Sequence, residues 1–185
     1  MQSSSTTELN PLAGLVACVF PGAGHLVLGQ RKRGLLAMVG VMGLFFFGLL
    51  IGGIDAIDSK ENRVWFYGQM LVGPSTIVVD QIHQKHFKAY DLRTGTLRNG
   101  YPGEHRVEDG TRAIWQPLTQ AQIEAGMGPP NLPGLGRLNE IAMLSIVLAG
   151  MLNLIVVIDA LVPNPKHMPG WSGNQADDSA KGGAE

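Results

Sequence analysis

Cysteine is almost missing from this chain of 185 residues, where Cys18 is the only one. A single thiol excludes an intramolecular disulfide and a cysteine metal cluster, and its apolar surroundings mark it as a packing residue. Charge is scarce as well. Charged residues make up 16% of the chain and the formal net charge is −1, so no overall field draws the protein to nucleic acid. The first ten residues hold no cation. A cleaved signal peptide needs a positive leading segment, so the first apolar run is expected to remain as an uncleaved span.

What two long stretches lack decides the class. Residues 34–54, GLLAMVGVMGLFFFGLLIGGI, contain no charge and no side-chain amide. Residues 141–162, IAMLSIVLAGMLNLIVVIDALV, contain only Ser145, Asn153 and Asp159 as polar side chains. A bilayer core of about 30 Å needs about 20 apolar residues in a helix, so both stretches are predicted spans. A soluble core helix of that length would carry a polar face, and residues 34–54 carry none.

Two weaker stretches accompany them. Residues 11–29 are apolar but broken at Pro21-Gly22, and the basic turn Arg31-Lys32-Arg33 follows. Residues 64–79, VWFYGQMLVGPSTIVV, are shorter and are weakened by Gln69, Pro74, Ser75 and Thr76. A full crossing and a re-entrant or tilted short helix both fit this segment. Cation placement favours the crossing. With four spans and Arg31–Arg33 in the cytoplasm, ten of the 14 Lys and Arg residues fall inside; the other four are Lys60, Arg63, Lys166 and Lys181. Without that crossing, the side of the basic turn keeps five cations against nine. The positive-inside bias therefore predicts four crossings with both termini outside.

The glycine-rich stretch PGAGHLVLGQRKRG at 21–34 invites comparison with a phosphate loop. Such a loop ends in Gly-Lys-Ser/Thr after a strand. Here Gly29 leads into Gln30-Arg31-Lys32-Arg33, with neither Ser nor Thr. A membrane hairpin explains the features better. Pro21 and Gly22 interrupt the first helix, Gly24 and Gly29 permit close helix approach, and Arg31, Lys32 and Arg33 contact anionic headgroups.

FPGAGHLVLGQRKRGLL resembles the two-transmembrane-helix domain pattern, although it lacks that domain's Asp/His-Arg-Phe-Tyr turn. Three stretches together, PGAGHLVLGQRKRG at 21–34, GLLIGG at 48–53 and EIAMLSIVLAGMLNLIVVIDA at 140–160, more closely resemble an uncharacterised family of small bacterial membrane proteins of planctomycete type. The resemblance covers about half the chain. It implies an integral membrane protein of unknown activity and supplies no catalytic residues.

Polar groups inside apolar segments are the candidate functional residues. His25, in the first run, and Asp80, at the end of the third, are expected on the same cytoplasmic side, where they either meet or are solvated at headgroup level. Asp159 is expected at the outer end, level with Asp55 and Asp58. In the last span Ala142, Ser145, Ala149, Asn153 and Ala160 share one helical face, suited to internal packing, to homodimerisation or to a partner subunit. Gly48 and Gly52 form a GxxxG on the second span. His83 and His86 in HQKH offer two metal-type ligands, with a basic surface helix as the plainer reading. Residues 80–137 carry turn signals at Asn99-Gly100, Pro102-Gly103 and Asp109-Gly110, and Thr119 before Gln122 resembles a capping box.

These readings predict an all-α fold, an integral membrane helical bundle of four transmembrane helices with a polar cytoplasmic loop. The segments are a polar lead at 1–10, a membrane hairpin and third short span at 11–79, the cytoplasmic loop at 80–137, a last transmembrane helix at 138–162 and a disordered tail at 163–185. The expected setting is the bacterial cytoplasmic membrane. The expected role is structural, as an adaptor or assembly element without a catalytic site or cofactor. The alternative is a transporter or channel component. The expected partners are the lipid bilayer and either a second copy or another membrane protein, with no nucleic acid.

Overall fold

A computed structural model describes residues 9–131 and 137–163. The expected tail from residue 164 onward, most of the polar lead and the end of the Gly/Pro connector, 132–136, lie outside the described residues. Two long helices organise the rest: α3, Arg31–Gly52, and α7, Arg137–Leu161. They coincide with the two long uncharged stretches and pack along each other. Gly48 and Gly52 of α3 make the close approach. A Cβ at Gly48 would stand 2.9 Å from the Ala142 carbonyl oxygen, and one at Gly52 would overlap the Ala142 methyl. The main apolar core lies between these helices, with Val41, Phe45, Ala142, Ile146 and Ala149 buried.

The two weaker stretches do not cross beside them, and this overturns the predicted four-helix bundle. Among the described residues only α3 and α7 are long and apolar enough to cross a membrane. Residues 11–29 form two short helices, α1 (Pro11–Val19) and α2 (Ala23–Val27), folded back on each other. Nine residues of helix rise about 13 Å, less than half a bilayer core. Helix α1 begins beside the end of α7, where the Asn10 amide donates to the Leu161 carbonyl at 2.9 Å. It reverses at Phe20-Pro21-Gly22. Gly22 has φ +79° and a Cβ there would overlap the Gly34 carbonyl oxygen, so the turn requires glycine. The Pro-Gly break thus reverses the chain rather than kinking a single helix.

Residues 63–82 repeat the device from the opposite end of α7. Helices α4 (Arg63–Gln69) and α5 (Pro74–Ile82) are joined by a 3₁₀ turn at Met70–Val72. The base of this hairpin is closed by the Ser59 amide donating to Asp80 Oδ1 at 2.8 Å. Across the two arms, Thr76 Oγ1 donates to the Gln69 carbonyl at 2.9 Å. Its tip rests on α7, where Asn153 Nδ2 donates to the Leu71 and Val72 carbonyls at 2.9 and 3.3 Å. A Cβ at Gly73 would stand 3.0 Å from the Cys18 carbonyl oxygen, so the tips of the two hairpins meet between the long helices. Pro74 sits at the first turn of α5, where its missing N–H costs nothing. The segment therefore doubles back on itself instead of running beside α7 as one helix.

The region expected to be a loop folds instead into a mixed sheet, which also departs from the all-α expectation. Its strands are β1 (Ala89–Tyr90), β2 (Leu97–Arg98), β3 (Glu104–Asp109) and β4 (Arg112–Pro117), in spatial order β2-β1-β4-β3. β1 pairs antiparallel with β2 and parallel with β4, and β3 pairs antiparallel with β4. Asp109 faces Arg112 across a two-residue loop whose first residue, Gly110, has φ +62°, as tight hairpins favour. Ile114 and Trp115 of β4 are both buried, and Trp115 Nε1 donates to the Arg98 carbonyl at 3.0 Å. Helix α6, Gln120–Glu124, starts at the Thr119–Gln122 capping box that the sequence marks.

Candidate functional site: two polar ends and a buried ion network

Helix α5 runs on into a π-helical turn, His83–Phe87. The turn directs His83 inward beneath the residues that follow α3. There it joins Asp55, Asp58, Asp80, Gln84, Lys88 and Asn99, and of these Asp55, Asp58, Asp80, His83 and Lys88 are buried. Lys88 Nζ lies 2.5 Å from Asp58 Oδ2 and 3.0 Å from Glu61 Oε1. Asp58 Oδ1 also accepts from the Lys60 and Glu61 amides at 2.8 and 3.2 Å and from Gln84 Nε2 at 2.9 Å. Burial alone would push the Asp58 carboxyl up. The Lys88 ammonium and these backbone donors outweigh it and hold the carboxyl below its ordinary value.

Asp55, Asp58 and His83 have ligand-type atoms within 4.8 Å of one another, close enough to suggest a metal centre. The hydrogen bonds argue for a different chemistry. His83 Nδ1 is 3.0 Å from the Ile57 carbonyl oxygen, and Nε2 is 3.1 Å from Asn99 Oδ1 and 3.4 Å from Asp55 Oδ1. Asn99 in turn donates through Nδ2 to Asp55 Oδ1. Both ring nitrogens therefore face acceptors. Acceptors at both nitrogens favour the doubly protonated ring, which offers a metal no lone pair, and Lys88 already supplies the cation that Asp58 needs. Burial tends to lower the His83 pKa, but the Asp55 carboxylate and the Ile57 carbonyl prevail and raise it.

The sign of that shift yields a pH prediction. Stability contributed by His83 is fully present below its ordinary value of about 6.5 and is lost as pH rises through the raised value. Asp58 contributes stability above its ordinary carboxylate value of 3.8, lost as pH falls through its lowered one. Unfolding midpoints measured in detergent against pH will therefore fall on the alkaline side of the His83 titration. His83→Gln will flatten that limb and leave the acid limb in place.

Arg98 anchors the sheet to the same network. It makes a bidentate pair with Glu104 (2.8 Å to each oxygen), reaches Asp91 Oδ2 at 2.8 Å, and lies over the Tyr101 ring at 4.3 Å. The Glu104 carboxyl is held below its ordinary range by Arg98, and the arginine is raised in turn. Asn99, next in sequence, reaches Asp55, so the strands are tied to the base of the helical part by polar groups that are nearly all partnered.

The opposite end holds a smaller constellation. His25 Nε2 meets Asp159 Oδ2 at 2.9 Å and Arg33 reaches the same oxygen at 3.3 Å. His25 is buried, and its Nδ1 has no partner among the described residues. The expected meeting of His25 with Asp80 does not occur, because Asp80 closes the base of the other hairpin. Asp159 likewise stands not level with Asp55 and Asp58 but at the other end of α7, whose first turns pack on Gly52 beside Asp55. Arg31 and Lys32 are exposed at the start of α3 beside Arg33, and Gly29 ends the turn after α2. Pro21 and Gly22 are buried at the hairpin tip, and Gly24 is wedged among Ala13, Ala17 and Ala160. Ala142, Ser145, Ala149, Asn153 and Ala160 are all buried within the chain. That face is occupied internally by α3 and by the two hairpins. His86 is exposed and apart from His83.

The network was not readable from sequence as a unit. Asp55 and Asp58 were visible as carboxylates, but nothing in the spacing announced that Lys88 and Asn99 return to them through a sheet. The profile of a protein family described as a family of unknown function, DUF6677, matches residues 12–170. No curated protein and no solved structure matches the chain.

Proposed function

The chain belongs to this family of unknown function, which hands down no activity, and we propose that it is a bacterial cytoplasmic-membrane protein that presents a rigid sheet module as an adaptor or assembly element. The observation that carries this reading is the outward face of the long helices. Less than half of either is buried, and Leu36, Leu50 and Ile155 are 73%, 85% and 63% exposed. In water such a belt would far exceed the apolar patches of monomeric soluble proteins; among lipid tails it costs nothing. Leu12, Leu15, Val64 and Val78 of the hairpins continue the belt. The two re-entrant hairpins are tolerable at membrane depth because their turns are buried against the long helices and Asn153 of α7 donates to the Leu71 and Val72 carbonyls.

With two crossings the basic turn and the sheet stand on opposite faces. The sheet side holds nine cations, from Lys60 to Arg137, against five in the sequence on the other, Arg31, Lys32, Arg33, Lys166 and Lys181. The positive-inside bias then places the sheet in the cytoplasm. The polar network beneath it is closed and partnered, which suits a platform better than a reaction centre. Replacing residues 104–117 by a short flexible linker should leave the chain resistant to alkaline carbonate extraction and abolish crosslinks to a specific neighbour in whole cells. Unchanged crosslinks would reject the adaptor role.

Transport is the second reading. It is favoured by the meeting of two half-helix tips beside Asn153 Oδ1 and Gln69 Oε1, both buried without a partner among the described residues. Solute or ion flux in proteoliposomes that is lost in Asp159→Asn or His25→Ala would support it over the adaptor.

A further inference from the structure

Beyond the helices, a cleft of about 680 Å³ opens between the π-helical turn and strands β3 and β4. Its charge is one-sided. Lys85, Arg106 and Arg112 line it against a single carboxylate, Glu108, which points mainly to solvent. Arg106 is pinned in place, with Nη2 3.2 Å from the Lys85 carbonyl, Nε 3.3 Å from the Lys88 carbonyl, and Nη1 3.1 Å from Glu108. The carbonyls orient the guanidinium, and the exposed Glu108 is its one carboxylate partner among the described residues. Arg112 lies 5.8 Å above the Tyr90 ring. Among the described residues neither Arg112 nor Lys85 has a carboxylate partner within ion-pair distance.

The position of the cleft identifies the anion. Lys85 comes three residues after Ile82, the last residue of α5, and Ile77, Val78 and Ile82 are exposed on that helix. An apolar strip thus runs directly up to a cationic hollow. A ligand with acyl chains and an anionic head satisfies both parts, whereas a free anion satisfies only the second. We propose that this cleft is a headgroup site for an anionic phospholipid, with its phosphate among Lys85, Arg106 and Arg112 and its acyl chains along α5. The site rests on the membrane reading above, because only a chain seated in a bilayer brings α5 and the cleft to the headgroup level. Bound there, the lipid ties the sheet module to the membrane plane, and occupancy depends on the anionic lipid content of the leaflet.

The test is native mass spectrometry of the full chain in mild detergent, with phosphatidylglycerol or phosphatidylcholine added at equal concentration. The wild type should retain phosphatidylglycerol in preference. The double variant Lys85→Gln/Arg112→Gln should lower that retention about tenfold, with its unfolding midpoint unchanged, and Lys60→Gln outside the cleft should not. Equal retention of the two lipids, or undiminished retention by the double variant, overturns the site. So does inorganic phosphate that competes fully while phosphatidylglycerol gains nothing over phosphatidylcholine, since the cleft would then be a free-anion site. A wild type released from membranes by alkaline carbonate would overturn the membrane reading and the lipid site together. A wild type that resists carbonate but shows no lipid preference overturns the site alone.

Discussion

Lys88→Met will be among the most damaging single substitutions in this protein, with an expected loss of about 3–5 kcal/mol of stability. The Lys88 ammonium is fully buried against Asp58, which is itself 1% exposed, and the two side chains are 2.5 Å apart. Removing the ammonium leaves a carboxylate in an apolar surrounding. The Lys60 and Glu61 amides and Gln84 continue to donate to Asp58 Oδ1, which holds the loss towards the lower end of that range. Oδ2 keeps no protein donor. Asp58→Asn will cost less, because Lys88 retains Glu61 at 3.0 Å. The double variant Asp58→Asn/Lys88→Met should be more stable than Lys88→Met alone, since no buried charge is then left unpaired. Unfolding midpoints of the four proteins in one detergent give the coupling directly. If Lys88→Met were within about 0.5 kcal/mol of wild type, as ordinary surface changes are, the pair would be solvated and the network would not hold the sheet.

The second large effect is expected at Gly150. A Cβ there would overlap the Gly68 carbonyl oxygen and stand 3.1 Å from the Leu71 Cβ. The obstacle is backbone and cannot rotate away. Gly150→Leu must therefore push the α4–α5 hairpin off α7, which breaks the Asn153 bonds to Leu71 and Val72. Overpacking of this kind costs about 1–3 kcal/mol and sometimes more. Gly40 and Gly43 on α3 are the internal control, because nothing lies within 4 Å of a Cβ at either. Gly40→Leu and Gly43→Leu should leave the unfolding midpoint unchanged or raise it slightly through helix propensity. A graded loss from Gly150→Ala to Gly150→Leu, absent at Gly40 and Gly43, is the expected pattern. Equal tolerance at all three positions would mean that the hairpin does not pack on α7.

The contrast between these glycines also shows what the sequence could and could not convey. The long helices were legible because a run without charge over about 20 residues has few other fates. The small-residue face of α7 was legible from its spacing. The fate of the two weaker stretches was not. Pro21-Gly22 and Gly73-Pro74 mark breaks, but a break reads the same whether the chain continues across or turns back; only the partners supplied by α7 decide. The cation count then favoured four crossings, because that topology divides the cations ten to four where two crossings divide them nine to five. The steeper split did not outweigh the contacts with α7 that turn the chain back at Met70–Val72. The error carried forward by parity. With two crossings removed, the basic turn, Asp159 and the first helix share one end, while Asp55, Asp58 and Asp80 share the other. His25 and Asp80 were thereby separated, and His25 found Asp159 instead. The sheet went unseen because its strands are two to six residues long and mostly polar. β3 reads EHRVED, with Val107 as its one aliphatic residue. Its core is made by Ile114 and Trp115 of β4 and by Ala89, too few to set a period-two pattern.

The central claim is that residues 63–82 enter and leave at the same face of a bilayer. Single cysteines at Lys60, Thr94 and Lys32, each in a Cys18→Ser background, test it through labelling of sealed vesicles by a membrane-impermeant maleimide. Lys60→Cys and Thr94→Cys should react from one and the same side, and Lys32→Cys from the other. Reaction of Lys60→Cys and Thr94→Cys from opposite sides would restore a full crossing by residues 64–79 and contradict this account of the fold.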